Sequence, residues 1–214
     1  ALRIDAPYVS TRNFEEFSTP SANIQAILDH ERDSTEPYRL LSFRDSGQDV
    51  MPALHGIELA AGHHPNDLLR YRELIGMAGS GSAVNLGEAN IRRLLNVKYI
   101  LWPDLEMGGS IEGPVIARLE LQDGRPFETI FTDPGLPRAR LVGSVAIKSD
   151  EEAVPYMLSE AFDPEVEVVL TEEPPLALQP GPITGSVEWV ERGPDRMRLA
   201  VTTLPLASNT LIRA

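Results

Sequence analysis

Three short stretches carry the residue types that could do chemistry. The first is "GHHP", residues 62–65, with His55 and Asp67 nearby. Adjacent histidines point apart on regular structure, and zinc sites call for i, i+4 spacing or distant partners. The pair therefore reads as loop or helix-start histidines, or as ligand contacts, before it reads as a metal site. The second is "PRAR", which puts Arg138 and Arg140 two residues apart. On a strand that spacing sets both guanidinium groups on one face. A surface pair for nearby acids is the default, and contact with an anionic ligand or headgroup is the sharper alternative. The third is "GMAGSGSA", residues 76–83. It lacks the Gly-Lys-Ser/Thr end of a phosphate loop and does not follow the dinucleotide fingerprint. It reads as a mobile loop that could order over a ligand.

Other chemistries lack a signal. There is no G-x-S-x-G elbow. A carboxylate pair for glycoside hydrolysis is meaningless without geometry in a chain with 32 acidic residues. With no cysteine, thiolate metal sites, disulfides and Cys nucleophiles are excluded. Trp189, in an alternating strand, reads as core packing, with stacking on a sugar as the alternative. Lys98 stands alone in the most strand-like segment, "VKYILW", and is expected to reach the sheet edge or a carboxylate.

The segments that must position these residues follow from pattern. "TPSANIQAILDHER" is an amphipathic helix capped by Thr19 or Ser21, with Ile24, Ile27 and Leu28 on one face. "YRLLSF", residues 38–43, is a strand. "HPNDLLRYRELIG" is a second helix starting near Pro65, with Leu68, Tyr71, Leu74 and Ile75 sharing a face and Gly76 as its cap. "NLGEANIRRLLN" is a third, with capping-box spacing from Asn85 to Glu88. Strands follow over 97–102, 113–122 and 126–132, the last two joined by the turn "DGR". "PRARLVGSVAI" reads as a strand. A capping box from Ser149 to Glu152 starts a helix that Pro155 should shorten or kink. Residues 166–170 form a strand, 172–185 a Pro-rich linker, and 186–203 a hairpin turning at "GPD". The fold class is α+β. An N-terminal α/β half with a small mixed sheet (1–103) precedes a β-rich, sandwich-like half with one inserted helix (104–214).

Composition limits the partners. The 214 residues carry a formal net charge of −13, with 17 Arg and two Lys, Lys98 and Lys148. Such a balance argues against nucleic acid and against an anionic membrane surface. Eleven acidic and no basic residues lie between Ser149 and Glu191; a solvated acidic face is the expectation. No run approaches the roughly 18–20 apolar residues of a membrane span. Both ends read as those of a piece cut from something longer.

The ordered segments together resemble a known family. "YRLLSF", "HGIELAAGHHPNDLLRYRELI", "RLLNVKYILW", "LPRARLVGSVAIKSDEEAVPYMLSEAFDPEVEVVL" and "GSVEWVERGPDRMRLAV" resemble the extracytoplasmic C-terminal region of YfhO-like bacterial multi-pass membrane proteins, which are similar to C-type glycosyltransferases. The pattern spans most of residues 38–201. It departs at Gly62-His63, where such proteins often have Gly-Tyr, and it stops short of a Pro-Gly-Trp-like turn after the last hairpin. The resemblance implies a domain facing the periplasm or cell exterior. Its partners would be the membrane-embedded remainder of the same polypeptide and a glycan or lipid-linked sugar. The superfamily's catalytic acid lies in an early loop outside this segment, so no catalytic residue, metal or cofactor is carried over. A ligand would be held by His63, His64, Arg70 and Tyr71 at the start of the second helix. Two rivals stand beside this reading: a protein-interaction or scaffold domain of the bacterial envelope, and a secreted metal-assisted hydrolase.

Overall fold

The computed structural model describes residues 18–44, 49–62, 68–77, 83–108, 111, 113–174, 183–193 and 195–203. The class is α+β, as expected, with a five-stranded mixed sheet and two smaller sheets. Contacts group the chain into two interleaved units. One comprises Ala1–Thr35, Leu40–His63 and Tyr99–Thr132, and the other Glu36–Arg39, His64–Lys98 and Asp133–Ala214. Pro103, where the sequence changes texture, lies inside the first unit. Among the described residues no helix is long and apolar enough to cross a membrane.

In the first unit, helix α1 (Ala22–His30) is capped by Ser21, whose hydroxyl accepts from the Ile24 amide at 3.4 Å. Ile24 and Ile27 are buried, each burial contributing about 1.5–3 kcal/mol. The sheet contains β1 (Arg39–Ser42), β2 (Glu58–Leu59), β3 (Val97–Trp102), β4 (Val115–Glu120) and β5 (Pro126–Thr132), in the order β2-β1-β3-β5-β4. Bonds from Arg39 N to Asn96 O and from Phe43 N to Leu101 O advance together, so β1 runs parallel to β3. The β3–β5 and β4–β5 pairs are antiparallel, and the expected hairpin turns at Gly124, φ 80°. A short helix α4 (Asp104–Met107) follows β3, and Asp104 accepts from the Thr129 hydroxyl at 2.9 Å.

β3 is the middle strand of the five. Val97, Tyr99 and Leu101 are fully buried, and Ile100 on the opposite face is buried too, as a strand covered on both sides requires. Of the two expectations for Lys98, the sheet edge is corrected, since it lies near the start of an interior strand; the carboxylate alternative is not contradicted, and Glu36 and Asp133 line the same pocket as Lys98. Buried polar groups in this unit are tied together. Asn23 Nδ2 donates to Glu128 Oε2 at 2.9 Å, and Arg44 pairs with the same carboxylate. Tyr99 donates to the Glu31 carboxylate, so its oxygen accepts from His30 Nδ1, 2.7 Å away.

The second unit holds α2 (Leu69–Ile75), α3 (Ala89–Leu94), β6 (Ser144–Ile147), α5 (Asp150–Met157), β7 (Glu167–Leu170), β8 (Gly185–Arg192) and β9 (Met197–Thr203). Three expectations are corrected here. Leu68 does not share the helix face with Leu74 and Ile75; it is the N-cap of α2 and 77% exposed. The Asn85–Glu88 capping box does not form. A 3-10 turn, Val84–Gly87, precedes α3, and Asn85 Nδ2 instead donates to the Leu74 carbonyl at 2.9 Å, satisfying the end of α2. "PRARLVGSVAI" is strand only over Ser144–Ile147. Three features match the pattern, while residues 63–67, 78–82 and 175–182, on which the start of the second helix, the 76–83 loop and the Pro-rich linker fall, lie outside the described residues. Gly76 caps α2 with φ 68°, Ser149 and Glu152 form a capping box on α5, and β8 pairs with β9 across residues 193–196. β6 and β7 pair in parallel with α5 between them.

Candidate functional site

Two concave features of the second unit are lined by described residues. The first is a groove of about 350 Å³ beside the 138–142 segment. Its walls are apolar: Leu141 and Val142, Val168 of β7, and Val187, Leu199 and Val201 of the terminal hairpin. The hairpin presents those side chains together because Val187 pairs with Val201 and Trp189 with Leu199, and alternate residues share a face. Arg138 and Arg140 also line the groove. They stand in an irregular segment, not on a strand, and both residues border the groove.

Arg140 is fixed by the backbone. Its Nε and Nη2 donate to the Pro164 carbonyl at 3.1 and 2.8 Å. A carbonyl orients the guanidinium without neutralising it. Burial, and after it the nearby Arg93, holds its pKa below the usual arginine value. The site therefore carries a desolvated positive charge. Arg93 itself is engaged by Glu165 at 2.5 Å and Asp163 at 3.9 Å.

Tyr71, one of the residues singled out in the sequence, belongs to the same electrostatic neighbourhood. Burial pushes its phenol pKa up, while Arg39 and Arg138 pull it down. Arg39 is held below its usual value by burial; Tyr71 opposes that, and Arg138 and Arg192 add to it. Arg39, Tyr71 and Arg138 are thus close enough to act on one another's charges, and Arg192 acts on Arg39.

Arg70 is elsewhere in character. It is largely exposed and pairs with Asp150 in the first turn of α5 at 2.9 Å. His63 and His64 lie outside the described residues, as does Asp67. Of the four expected ligand contacts, then, only Tyr71 is seen beside a cluster that could meet a ligand. Arg39 and Arg192 were not legible as its neighbours, because they come from strands far apart in sequence. Among the described residues no group of three or more His, Cys, Asp or Glu could hold a metal ion.

The second feature is a pocket of about 300 Å³ at the start of β3, lined by Asn96, Lys98, Glu36, Asp133 and Leu136 among others. Asn96 has φ 59° and follows the C-cap of α3, a conformation asparagine tolerates better than most residues. Its Nδ2 donates to the Leu136 carbonyl at 2.8 Å. Gly135 is required there: a Cβ would meet the Val97 carbonyl oxygen at 2.2 Å. Asp133 is held by Arg92 Nε at 2.5 Å, and Lys98 Nζ stands 5.9 Å from the Tyr38 ring centre.

Comparison with protein-family models, with curated proteins and with solved structures finds no match.

Proposed function

We propose that this chain is a non-catalytic, extracytoplasmic domain of a membrane glycosyltransferase-like protein, and that it positions a lipid-linked sugar donor or glycan acceptor. The resemblance to YfhO-like proteins motivates the membrane context. The observation that supports the binding role is the groove, in which Arg138 and the backbone-held Arg140 meet apolar walls. A lipid-linked sugar phosphate has the matching chemistry, an anion joined to a hydrocarbon chain. Guanidinium groups suit phosphate oxygens geometrically as well as by charge.

The test is calorimetric titration of the chain with octyl phosphate, inorganic phosphate and 1-octanol. The reading expects saturable binding of octyl phosphate, much weaker binding of the other two, and loss of octyl phosphate binding in Arg138→Gln/Arg140→Gln. Equal binding by that variant, or binding driven by octanol alone, would count against it.

A protein partner is the second reading. It is favoured by the exposure of Met197 (59%), Val201 (54%) and Val190 (51%) on the terminal hairpin, since apolar surface of this kind marks interaction faces. Saturable capture of a defined envelope protein, with no response to octyl phosphate, would favour it over the first.

A further inference from the structure

We infer that Trp189 is a stacking platform for a hexose ring, set beside the arginine groove on the inner face of the terminal hairpin. This deepens the lipid-linked sugar reading above, on which it rests.

The placement follows from the hairpin register. Val187 pairs with Val201, and Trp189 with Leu199. Val187, Val201 and Leu199 line the groove, and directly opposed residues, like alternate ones, share a sheet face. Trp189 therefore stands on the groove side, one pair further along and about 7 Å from Val187. That face is open: Trp189 is half-buried, while Met197, Leu199 and Val201 of β9 are exposed. The base of the hairpin is held close to the groove, since a Cβ on Gly185 would come within 2.8 Å of Leu141 Cδ1.

The indole is available to a ligand. Its N–H donates to no group among the described residues, and no aromatic ring or cation among them lies on its π face. Trp102 Nε1 is sealed from solvent without a partner, whereas Trp189 Nε1 is not sealed.

These properties narrow the ligand class. An indole face is electronegative and attracts C–H groups, and its N–H is a donor only. A hexose carries both counterparts, C–H groups on a ring face and hydroxyl acceptors around the rim. An alkyl chain matches the valines of the groove and leaves the N–H unused. A cation also stacks on indole, but Arg138 and Arg140 in the adjoining groove oppose it. A sugar esterified to a groove-bound phosphate uses guanidinium, apolar wall and indole together.

The test is proton–nitrogen correlation NMR of the whole chain, read at the indole resonances of its two tryptophans, Trp102 and Trp189. The probes are methyl glucoside and methyl galactoside, with cyclohexanol and tetramethylammonium as controls. The inference expects at least one glycoside to shift the Trp189 resonance saturably, to leave Trp102 unmoved and to bind more tightly than either control. Ligand-observed NMR should show glycoside affinity falling about tenfold or more in Trp189→Leu, which loses the π face and the N–H, and by less in Trp189→Phe, which loses only the N–H. A Trp189 resonance that no glycoside moves, a control that binds more tightly, or unchanged glycoside affinity in folded Trp189→Leu would overturn it. The wild-type resonance decides the matter should Trp189→Leu fold poorly. If the glycosides do not bind while octyl phosphate still binds at the arginine groove, this inference fails and the groove reading stands. If neither binds, both fail.

Discussion

Arg140 donates two hydrogen bonds to one acceptor, the Pro164 carbonyl oxygen, at 3.1 and 2.8 Å. The relationship fixes the guanidinium of a groove-lining residue without cancelling its charge. Replacing Arg140 by Gln should weaken octyl phosphate binding by about tenfold or more, as expected for a charge-assisted bond in a partly desolvated site. Raising ionic strength should weaken wild-type binding more than variant binding, because salt screens the charge the variant lacks. Calorimetric titrations at two salt concentrations check both statements.

Tyr71 predicts an alkaline effect. Burial raises its folded pKa above the ordinary 10.0, against the opposing pull of Arg39 and Arg138. The folded state thus favours the neutral phenol. The resulting stability is fully present below pH 10 and is lost as pH rises through the higher folded value. Tyr156, which donates to Glu167 at 2.7 Å, is raised as well. Tyr71→Phe should therefore reduce, not abolish, the fall in Tm on the alkaline side. Identical falls in wild type and variant would contradict the assignment.

Tyr99 predicts a stability loss at constant volume. Its hydroxyl donates to the Glu31 carboxylate and accepts from His30. Tyr99→Phe removes that donor beneath a strand with no solvent access. Denaturant unfolding should show a loss of about 1–3 kcal/mol. A loss indistinguishable from zero would mean that the bond contributes nothing net.

Gly135 predicts a steric failure. An added Cβ would stand 2.2 Å from the Val97 carbonyl oxygen, and backbone cannot swing aside as a side chain can. Gly135→Ala should destabilise by about 1–3 kcal/mol or more and disturb the neighbouring Asn96–Leu136 bond. Thermal unfolding together with the amide resonances of Asn96 would report it; an unchanged Tm would contradict the close approach.

Local chemistry was readable in the sequence. Ser21, Gly76 and the Ser149–Glu152 pair stand where capping rules put them, because a cap depends on three or four neighbouring residues. The Asn85–Glu88 pattern obeyed the same rule and failed, since the Leu74 carbonyl, eleven residues away, competes for Asn85. Lys98 suggested an edge, but strand order is set by long-range pairing that local pattern does not encode. The groove was legible only in part. "PRAR" pointed to two arginines on one face, while Val168 of β7 and Val187 of β8 reach the groove, and Arg39 and Arg192 reach the neighbourhood of Arg138, through tertiary folding. Asn96 could be read as a helix-ending residue, but its unsatisfied oxygen could not.

The most direct test of the central claim is methyl NMR of Val168, Val187, Leu199 and Val201 during titration with octyl phosphate. These four side chains line the arginine groove. The account predicts saturable shifts of their methyl resonances that vanish in Arg138→Gln/Arg140→Gln. Shifts confined to other methyls, or shifts that persist in that variant, would contradict it.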